Sequence, residues 1–176
     1  MQKKFDKIKK LYDEFHINML SKGRLMLKDT GRGYWGITPT TEIFELFQKT
    51  KLKTHKRFLD LGSGDGRAAI VASIFTNSTG IEFDNELHHF ALEHAKKLNA
   101  KVKLINQDYM EHTLKNYDYI FIAPDNPISE DLENKLLQEM SNKAKLIVYG
   151  PHYHPKELNK IETHDIKGSL VSVFKK

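Results

Sequence analysis

The sequence predicts an α/β fold built on a doubly wound, mostly parallel sheet, with an antiparallel hairpin at the C-terminus and a helical extension at the N-terminus. Two observations lead to this prediction. Short apolar segments alternate with segments of helical periodicity from about residue 38 onward, and a glycine-rich turn joins the first such strand to the next helix. This alternation is typical of parallel sheets with right-handed crossovers.

The pair Thr38–Pro39 predicts a helix start, with Thr38 as the N-cap and proline at the first helical position. The predicted buried side of this helix comprises Ile43, Phe44, Leu46 and Phe47. Further helices are predicted from residue 67 to about 75, from 85 to 98, and after an N-cap at Ser129. Strands are predicted at 57–61, 79–83, 102–105, 117–122 and 146–149, and the closing hairpin at 160–165 and 170–174.

Composition indicates a single domain-sized core. The chain has 176 residues, of which 39% are hydrophobic and 29% charged, enough for one sizeable core and few for two. It contains no cysteine, which excludes disulfides, thiolate catalysis and zinc–thiolate sites. No apolar stretch is long enough to span a bilayer and no secretory signal is evident. We therefore expect a cytoplasmic protein without a membrane partner.

The net positive charge is concentrated in the N-terminal segment. Residues 1–28 carry eight Lys/Arg against three Asp/Glu, whereas residues 29–176 carry twenty of each. Residues Phe5, Ile8, Tyr12, Phe15 and Met19 recur at helical spacing, so one side of this helix should pack on the body. Its lysines either bind a polyanion or an acidic protein, or form a solvated face. We treat 1–37 as a basic helix with an aromatic, glycine-containing loop, and 38–176 as the main domain.

The most informative stretch is the turn at residues 60–67, Asp-Leu-Gly-Ser-Gly-Asp-Gly-Arg. Glycines there admit positive φ and close approach of a ligand, and the free N–H groups of the helix start face that ligand. The turn lacks both the Gly-Lys-Ser/Thr ending of a P-loop and the G-x-G-x-x-G of dinucleotide sites. A carboxylate at Asp60 would repel a pyrophosphate but suits the ammonium group of a methionine moiety. The turn thus predicts an S-adenosylmethionine site that includes Gly62, Ser63, Gly64 and Gly66.

Acidic residues follow the second and third predicted strands, at the edge where open α/β sheets bind ligands. Glu82 can accept hydrogen bonds from a ribose diol, in this site or in a dinucleotide site. Phe83 can lie against adenine, and Asp108, with Tyr109 beside it, can accept from the adenine amino group. Taken singly, Glu82 is equally a surface acid, Asp108 a turn residue and Phe83 a core residue. Their order after successive strands favours the cofactor site.

These motifs give the chain a recognisable resemblance. Over residues 38–176 it resembles the Rossmann-like, seven-stranded, class I S-adenosylmethionine-dependent methyltransferases, whose first motif is like residues 60–66 and whose second- and third-strand acids match Glu82 and Asp108. Residues 59–67, preceded by Tyr-Trp-Gly-Ile-Thr-Pro-Thr at 34–40, are similar to small protein-lysine methyltransferases of archaea and their mitochondrial relatives. The resemblance implies that the loop before Thr38, with Tyr34 and Trp35, folds over the cofactor and shapes the acceptor channel.

The exit of the fourth strand reads Ala-Pro-Asp-Asn-Pro at residues 123–127. Enzymes that methylate adenine, cytosine or glutamine carry an Asp/Asn/Ser-Pro-Pro-aromatic tetrapeptide here, whose polar first residue holds a planar amine. This chain has Ala123 instead, which favours an sp³ amine such as lysine. Pro124 and Asp125 are predicted to line the acceptor path. Asp125 either orients an ammonium group or receives its proton, or it forms an Asx turn.

The histidines do not predict a metal site. His152 and His154 lie two apart in a loop after the fifth strand, with no third ligand identifiable. We instead expect His152 or Tyr153 to line the acceptor site, because loops at this edge carry function. His88 and His89 lie on a predicted helix with His94, and all three are expected to be solvated.

The sequence therefore predicts an S-adenosylmethionine-dependent methyltransferase acting on an amine, with a protein lysine as the expected acceptor. An RNA or DNA methyltransferase that uses the basic N-terminal helix, a small-molecule methyltransferase and a non-catalytic scaffold are the alternatives. Neither the number of methyl groups added nor the oligomeric state follows from the sequence.

Overall fold

A seven-stranded sheet forms the centre of the computed structural model, which describes all residues from Met1 to Lys176. Its strand order is β5-β4-β3-β6-β7-β9-β8. The strands are β3 (Arg57–Leu61), β4 (Asn77–Glu82), β5 (Val102–Asn106), β6 (Tyr119–Ile122), β7 (Lys145–Tyr149), β8 (Asn159–Ile166) and β9 (Ser169–Lys175). Two shorter strands, β1 (Leu27–Asp29) and β2 (Tyr34–Gly36), form a separate antiparallel hairpin.

Strand β3 is the point at which the chain changes direction across the sheet. It pairs in parallel with β4 on one side and with β6 on the other, so a crevice opens at their carboxyl ends. Strand β9 runs antiparallel to both β7 and β8. The predicted fold class, including the closing antiparallel pair, is confirmed.

Five helices cover the sheet: α1 (Gln2–Ser21), α2 (Thr40–Lys49), α3 (Arg67–Ala72), α4 (Asn85–Leu98) and α5 (Glu130–Glu139). Their apolar sides and the sheet enclose two buried clusters. Ser129 caps α5 as predicted, its hydroxyl accepting from the Leu132 N–H at 3.2 Å. None of the helices is long and apolar enough to cross a membrane.

The N-terminal helix α1 packs as its periodicity predicts. Phe5, Ile8, Tyr12 and Met19 are buried, and Phe15 is half-buried. The Phe5 ring stacks on Phe44 of α2 with a centroid distance of 4.0 Å. The apolar side of α1 therefore belongs to the same core as α2 and α3.

Three local predictions differ from the structure. Helix α2 begins at Thr40 with Pro39, not Thr38, as its N-cap. Helix α3 ends at Ala72 and continues only as a turn to Phe75. The region expected to be a loop, around Tyr34 and Trp35, contains strand β2. Strands β1 and β2 have three residues each, which is too short to leave an alternating pattern in the sequence.

The core under α2 gives the first testable prediction. Phe47 is fully buried and its ring meets those of Phe58, Tyr119 and Phe121. Phe47→Ala should lower the free energy of unfolding by about 3–5 kcal/mol, because the remaining aromatic rings cannot collapse into the cavity. Ile17→Ala, at an exposed position of α1, should change it by less than about 0.5 kcal/mol. Urea unfolding followed by circular dichroism measures both, and similar values for the two would contradict this packing.

Candidate active site

A cavity of about 350 Å³ opens at the carboxyl ends of β3, β4 and β6. The glycine-rich turn after β3 lies on one side and the chain leaving β6 on the other, with the β1–β2 hairpin across the opening. Most sequence-predicted site residues line it: Asp60, Gly62, Ser63, Glu82, Phe83, Tyr109, Tyr34, Trp35, Pro124 and Asp125. Gly64, Gly66 and Asp108 are not part of this lining, although each is next to a residue that is.

The turn after β3 has a backbone that side chains disfavour. Gly62 has φ of +73°, and a Cβ built there would meet nothing within 4 Å, because the residue faces the cavity. Gly64 has φ of +54°, and a Cβ there would collide with the indole ring of Trp35. The turn therefore leaves space for a ligand at Gly62 and holds the hairpin against itself at Gly64.

Asp60, the last-but-one residue of β3, is a buried acid without an ion pair in the wall of the cavity. Burial, reinforced by the nearby Glu82 carboxylate, raises the pKa of Asp60 from 3.8 to about 8. At neutral pH this carboxyl group is therefore mostly protonated. A cationic ligand group placed beside it would favour the ionised form.

Glu82, at the end of β4, joins two loops. Its Oε2 accepts from the Gly64 N–H at 2.7 Å, and its Oε1 accepts from the Asp84 N–H at 2.7 Å. Burial nevertheless raises the pKa of Glu82, against the opposite effect of these two donors. Each oxygen keeps a further lone pair, so the carboxylate can also accept hydrogen bonds from a ligand in the cavity.

Arg32 was not singled out from the sequence, yet it contacts two predicted site residues. Its guanidinium lies 4.7 Å from the centre of the Phe83 ring, and its Nη1 lies 2.5 Å from Asp108 Oδ2. The other Asp108 oxygen accepts from the Met110 N–H at 2.9 Å and caps a short 3₁₀ turn, Tyr109–Glu111. Asp108 is thus a turn residue that also faces a cation. The sequence alone could not identify Arg32 as a site residue, because 76 positions separate it from Asp108 and no local pattern connects the two.

Ion pairs attach the β1–β2 hairpin to the start of α4. Lys28 is paired with Trp35 across the hairpin, and both are partly buried. The Lys28 ammonium lies 2.7 Å from Asp84 and 2.9 Å from Glu86. These pairs hold the hairpin beside the start of α4, so Trp35 reaches the glycine-rich turn.

The residues predicted to line the acceptor path also contact the hairpin. The Asp125 carboxylate accepts from the Tyr34 backbone N–H, and it accepts from the Asn126 amide at 3.1 Å. Pro124 lines the cavity between β6 and this contact. Asp125 therefore connects the loop after β6 to the hairpin, a contact that neither sequence-based interpretation of this residue included.

Two expectations about histidines are wrong. His94 is 2% exposed, not solvated: it packs against Tyr12 and Phe15. His94 follows Leu87 by seven residues and Ala91 by three. This helical spacing already predicts that it lies on the apolar side of α4. His152 and Tyr153 lie outside the cavity lining and contact each other, with ring centres 6.2 Å apart.

The cavity offers several groups suited to S-adenosylmethionine. Gly62 leaves open space beside the turn, and Asp60 is a buried acid without an ion pair. The Ser63 hydroxyl is buried against Gly80 of β4 and has no hydrogen-bond partner. A carboxyl group without a counter-charge is costly when buried, and a ligand carrying an ammonium group would supply that charge. The residues present therefore fit this cofactor.

A family model described as histone methylation protein DOT1 matches residues 30–127, more than half of the chain. The chain belongs to this family. It is an S-adenosylmethionine-dependent methyltransferase, as the resemblance implied, and S-adenosylmethionine is its cofactor. A search of curated proteins found no match.

Solved structures of low identity share the fold. An RNA methyltransferase from Salinibacter ruber, bound to S-adenosyl-L-homocysteine, has a TM-score of 0.66 and 21% identity, covering 79% of this chain and 92% of that one. The putative methyltransferase yhhF from Escherichia coli has a TM-score of 0.62 and 18% identity, with 80% and 87% covered. The PH0226 protein from Pyrococcus horikoshii has a TM-score of 0.63 and 14% identity, covering 76% of this chain and 88% of that one.

The contact between Gly64 and Trp35 gives a second prediction. Gly64→Ala should displace the indole ring and shift tryptophan fluorescence to longer wavelength, because Trp35 is the only tryptophan in the chain. The positive φ adds strain of about 1–2 kcal/mol. Gly168→Ala is a suitable control, since it shares a positive φ of +91° but its Cβ would meet nothing within 4 Å. Unchanged emission from the Gly64 variant would contradict this contact between the hairpin and the turn.

Proposed function

We propose that this methyltransferase transfers a methyl group to the side-chain amine of a protein lysine. The observation that carries the proposal is the charge at the acceptor end of the cavity. Asp125 supplies a carboxylate there, and both arginines in the cavity lining, Arg32 and Arg67, are paired with aspartates. A cationic side chain suits such a surface better than a phosphate does.

Each cofactor-binding residue has a role in this proposal. Asp60 would hold the ammonium group of the methionine moiety, with the backbone at Gly62 and Ser63 beside it. Glu82 would accept from the ribose. Phe83 and Tyr109, both in the cavity lining, would contact adenine. Asp108 would accept from the adenine amino group with a lone pair that its contacts with Arg32 and Met110 leave free.

The family description supports a protein acceptor, since it names histone methylation. The loop after β6 supports an amine that needs little activation: Ala123 and Pro124 provide no polar side chain to hold a planar amide or base amine. The first turn of α5, next to the cavity-lining Ser129, adds the exposed acids Glu130 and Asp131. Negative charge around the opening favours a lysine within a basic peptide.

Bound S-adenosylmethionine supplies an electrophilic methyl group on a sulfonium ion. The residues of this chain then have to align the acceptor and exclude water. Trp35, Tyr34 and Pro124 form the walls between which the acceptor would approach, and Asp125 would orient its ammonium group before deprotonation. The rate should rise with pH while the acceptor loses its proton.

A nucleic-acid acceptor is the second candidate. The exposed side of α1 carries Lys3, Lys4 and Lys7 without a carboxylate within ion-pair distance, and such a row of lysines can bind phosphates. The solved structure from Salinibacter ruber is an RNA methyltransferase. The paired state of both cavity arginines argues against this candidate at the acceptor site itself.

The role of Asp60 can be tested through proton release. With a pKa of about 8, Asp60 holds its proton at pH 7, whereas a bound ammonium group requires the carboxylate. Cofactor binding at pH 7 should therefore release about one proton, and affinity should rise as the pH approaches 8. Isothermal titration calorimetry in two buffers of different ionisation enthalpy measures the number of protons released.

Two controls isolate this proton. Asp60→Asn should bind S-adenosylmethionine more weakly and without proton release from this site. 5′-Methylthioadenosine lacks the amino-acid part of the cofactor, so its binding should leave Asp60 protonated while it keeps the contacts with Glu82. Equal proton release by both ligands would contradict the assignment of Asp60.

The acceptor can be tested by transferring labelled methyl from S-adenosylmethionine into a cell extract, followed by protease or nuclease digestion. We expect the label to be lost to protease alone and to appear as methyl-lysine after acid hydrolysis. Asp60→Asn should abolish labelling, which ties the signal to this site. Label lost to nuclease, or found on arginine or histidine, would overturn the proposal.

A further inference from the structure

The backbone carbonyl of Asp65, in the glycine-rich turn, lies where helices α1 and α4 meet. The Tyr12 hydroxyl donates to it at 3.0 Å, and His94 Nδ1 lies 3.2 Å from it. Both side chains are 2% exposed. Because a carbonyl oxygen only accepts, the His94 proton must reside on Nδ1. Two buried side chains from different helices therefore share this one acceptor.

The orientation of this carbonyl fixes the turn that faces the cofactor cavity. The peptide unit from Asp65 to Gly66 is planar, so holding its oxygen also sets the direction of the Gly66 N–H. That N–H donates to the Ser63 carbonyl at 2.8 Å and closes the turn. Within the same turn, the Gly64 N–H donates to Glu82. A rotated Asp65–Gly66 peptide would break this arrangement next to Ser63 and Gly62.

Tyr12 has a second contact that locks its position. The Arg67 guanidinium lies 4.8 Å from the centre of its ring and forms a buried ion pair with Asp65 at 2.6 Å. Burial raises the pKa of Tyr12, so the hydroxyl is protonated and remains a donor across the physiological range. The ring is thus held between the turn and its charged pair.

We propose that Tyr12 is a positioning residue for the cofactor-binding turn, acting through the Asp65 carbonyl with His94 as a second support. Tyr12 does not line the cavity, and it lies outside the segment that the family model matches. The N-terminal helix α1 is then a working part of the cofactor site, whatever the methyl acceptor is.

Tyr12→Phe tests this with little change in packing. Loss of one buried hydrogen bond should raise the Kd and the KM for S-adenosylmethionine about three- to tenfold. The kcat at saturating cofactor should stay the same, and the amide resonances of Gly64 and Gly66 should shift. Ile8→Val is the matched control, since Ile8 is buried on the same side of α1 with no polar group. It should lower the melting temperature and leave the Kd unchanged.

Variants at His94 keep the test decisive if Tyr12→Phe loses stability. His94→Phe removes the donor and should weaken cofactor binding, whereas His94→Asn keeps an N–H near the position of Nδ1 and should restore part of it. The proposal is overturned if Tyr12→Phe and His94→Phe bind the cofactor like the unchanged protein. It is equally overturned if Ile8→Val weakens binding as much as they do, because the effect would then follow helix packing alone.

Discussion

The carboxylate of Glu82 is the contact on which the site depends most directly. By accepting from Gly64 and from Asp84, it connects the turn after β3 to the loop after β4. The Ser63 N–H donates to the Ile81 carbonyl at 2.8 Å and reinforces the same connection. With the turn fixed, Gly64 presents the flat surface against which Trp35 packs, and the position of the hairpin follows. Strand pairing alone would bring these loops close but would not set their backbone directions.

The aspartates of the site differ in whether an arginine neutralises them, and the one without an arginine partner lines the cavity. Asp65 and Arg67 neutralise each other within a buried pair, as Asp108 and Arg32 do nearer the surface. Asp60 has no such partner, so burial keeps its pKa high and its proton in place. A buried acid of this kind lowers the stability of the folded protein at pH values above its unfolded-state pKa. A bound cationic ligand would offset this loss of stability. Binding sites commonly lower the stability of a protein without its ligand in this way.

The sequence predicted the sheet well because its central strands are buried and apolar and the turn after β3 has a distinctive glycine spacing. Ser129 and the α1 periodicity were also predicted correctly, since both depend on neighbours within one or two helical turns. The strands of the hairpin were missed because they are only three residues long. The ion pairs of Lys28 and Arg32 were missed because their partners lie 56 or more positions away. Local patterns do not register such contacts. His94 is different, because its position on α4 already indicated burial and only its residue type suggested solvent.

The Asp125 carboxylate connects two sides of the cavity. Its contact with the Tyr34 backbone joins the loop after β6 to the hairpin, and the hairpin in turn rests on Gly64 of the cofactor turn. The position of the loop after β6 relative to the hairpin therefore depends on the glycine-rich turn. A displacement of that turn would move Trp35, then Tyr34, then Asp125.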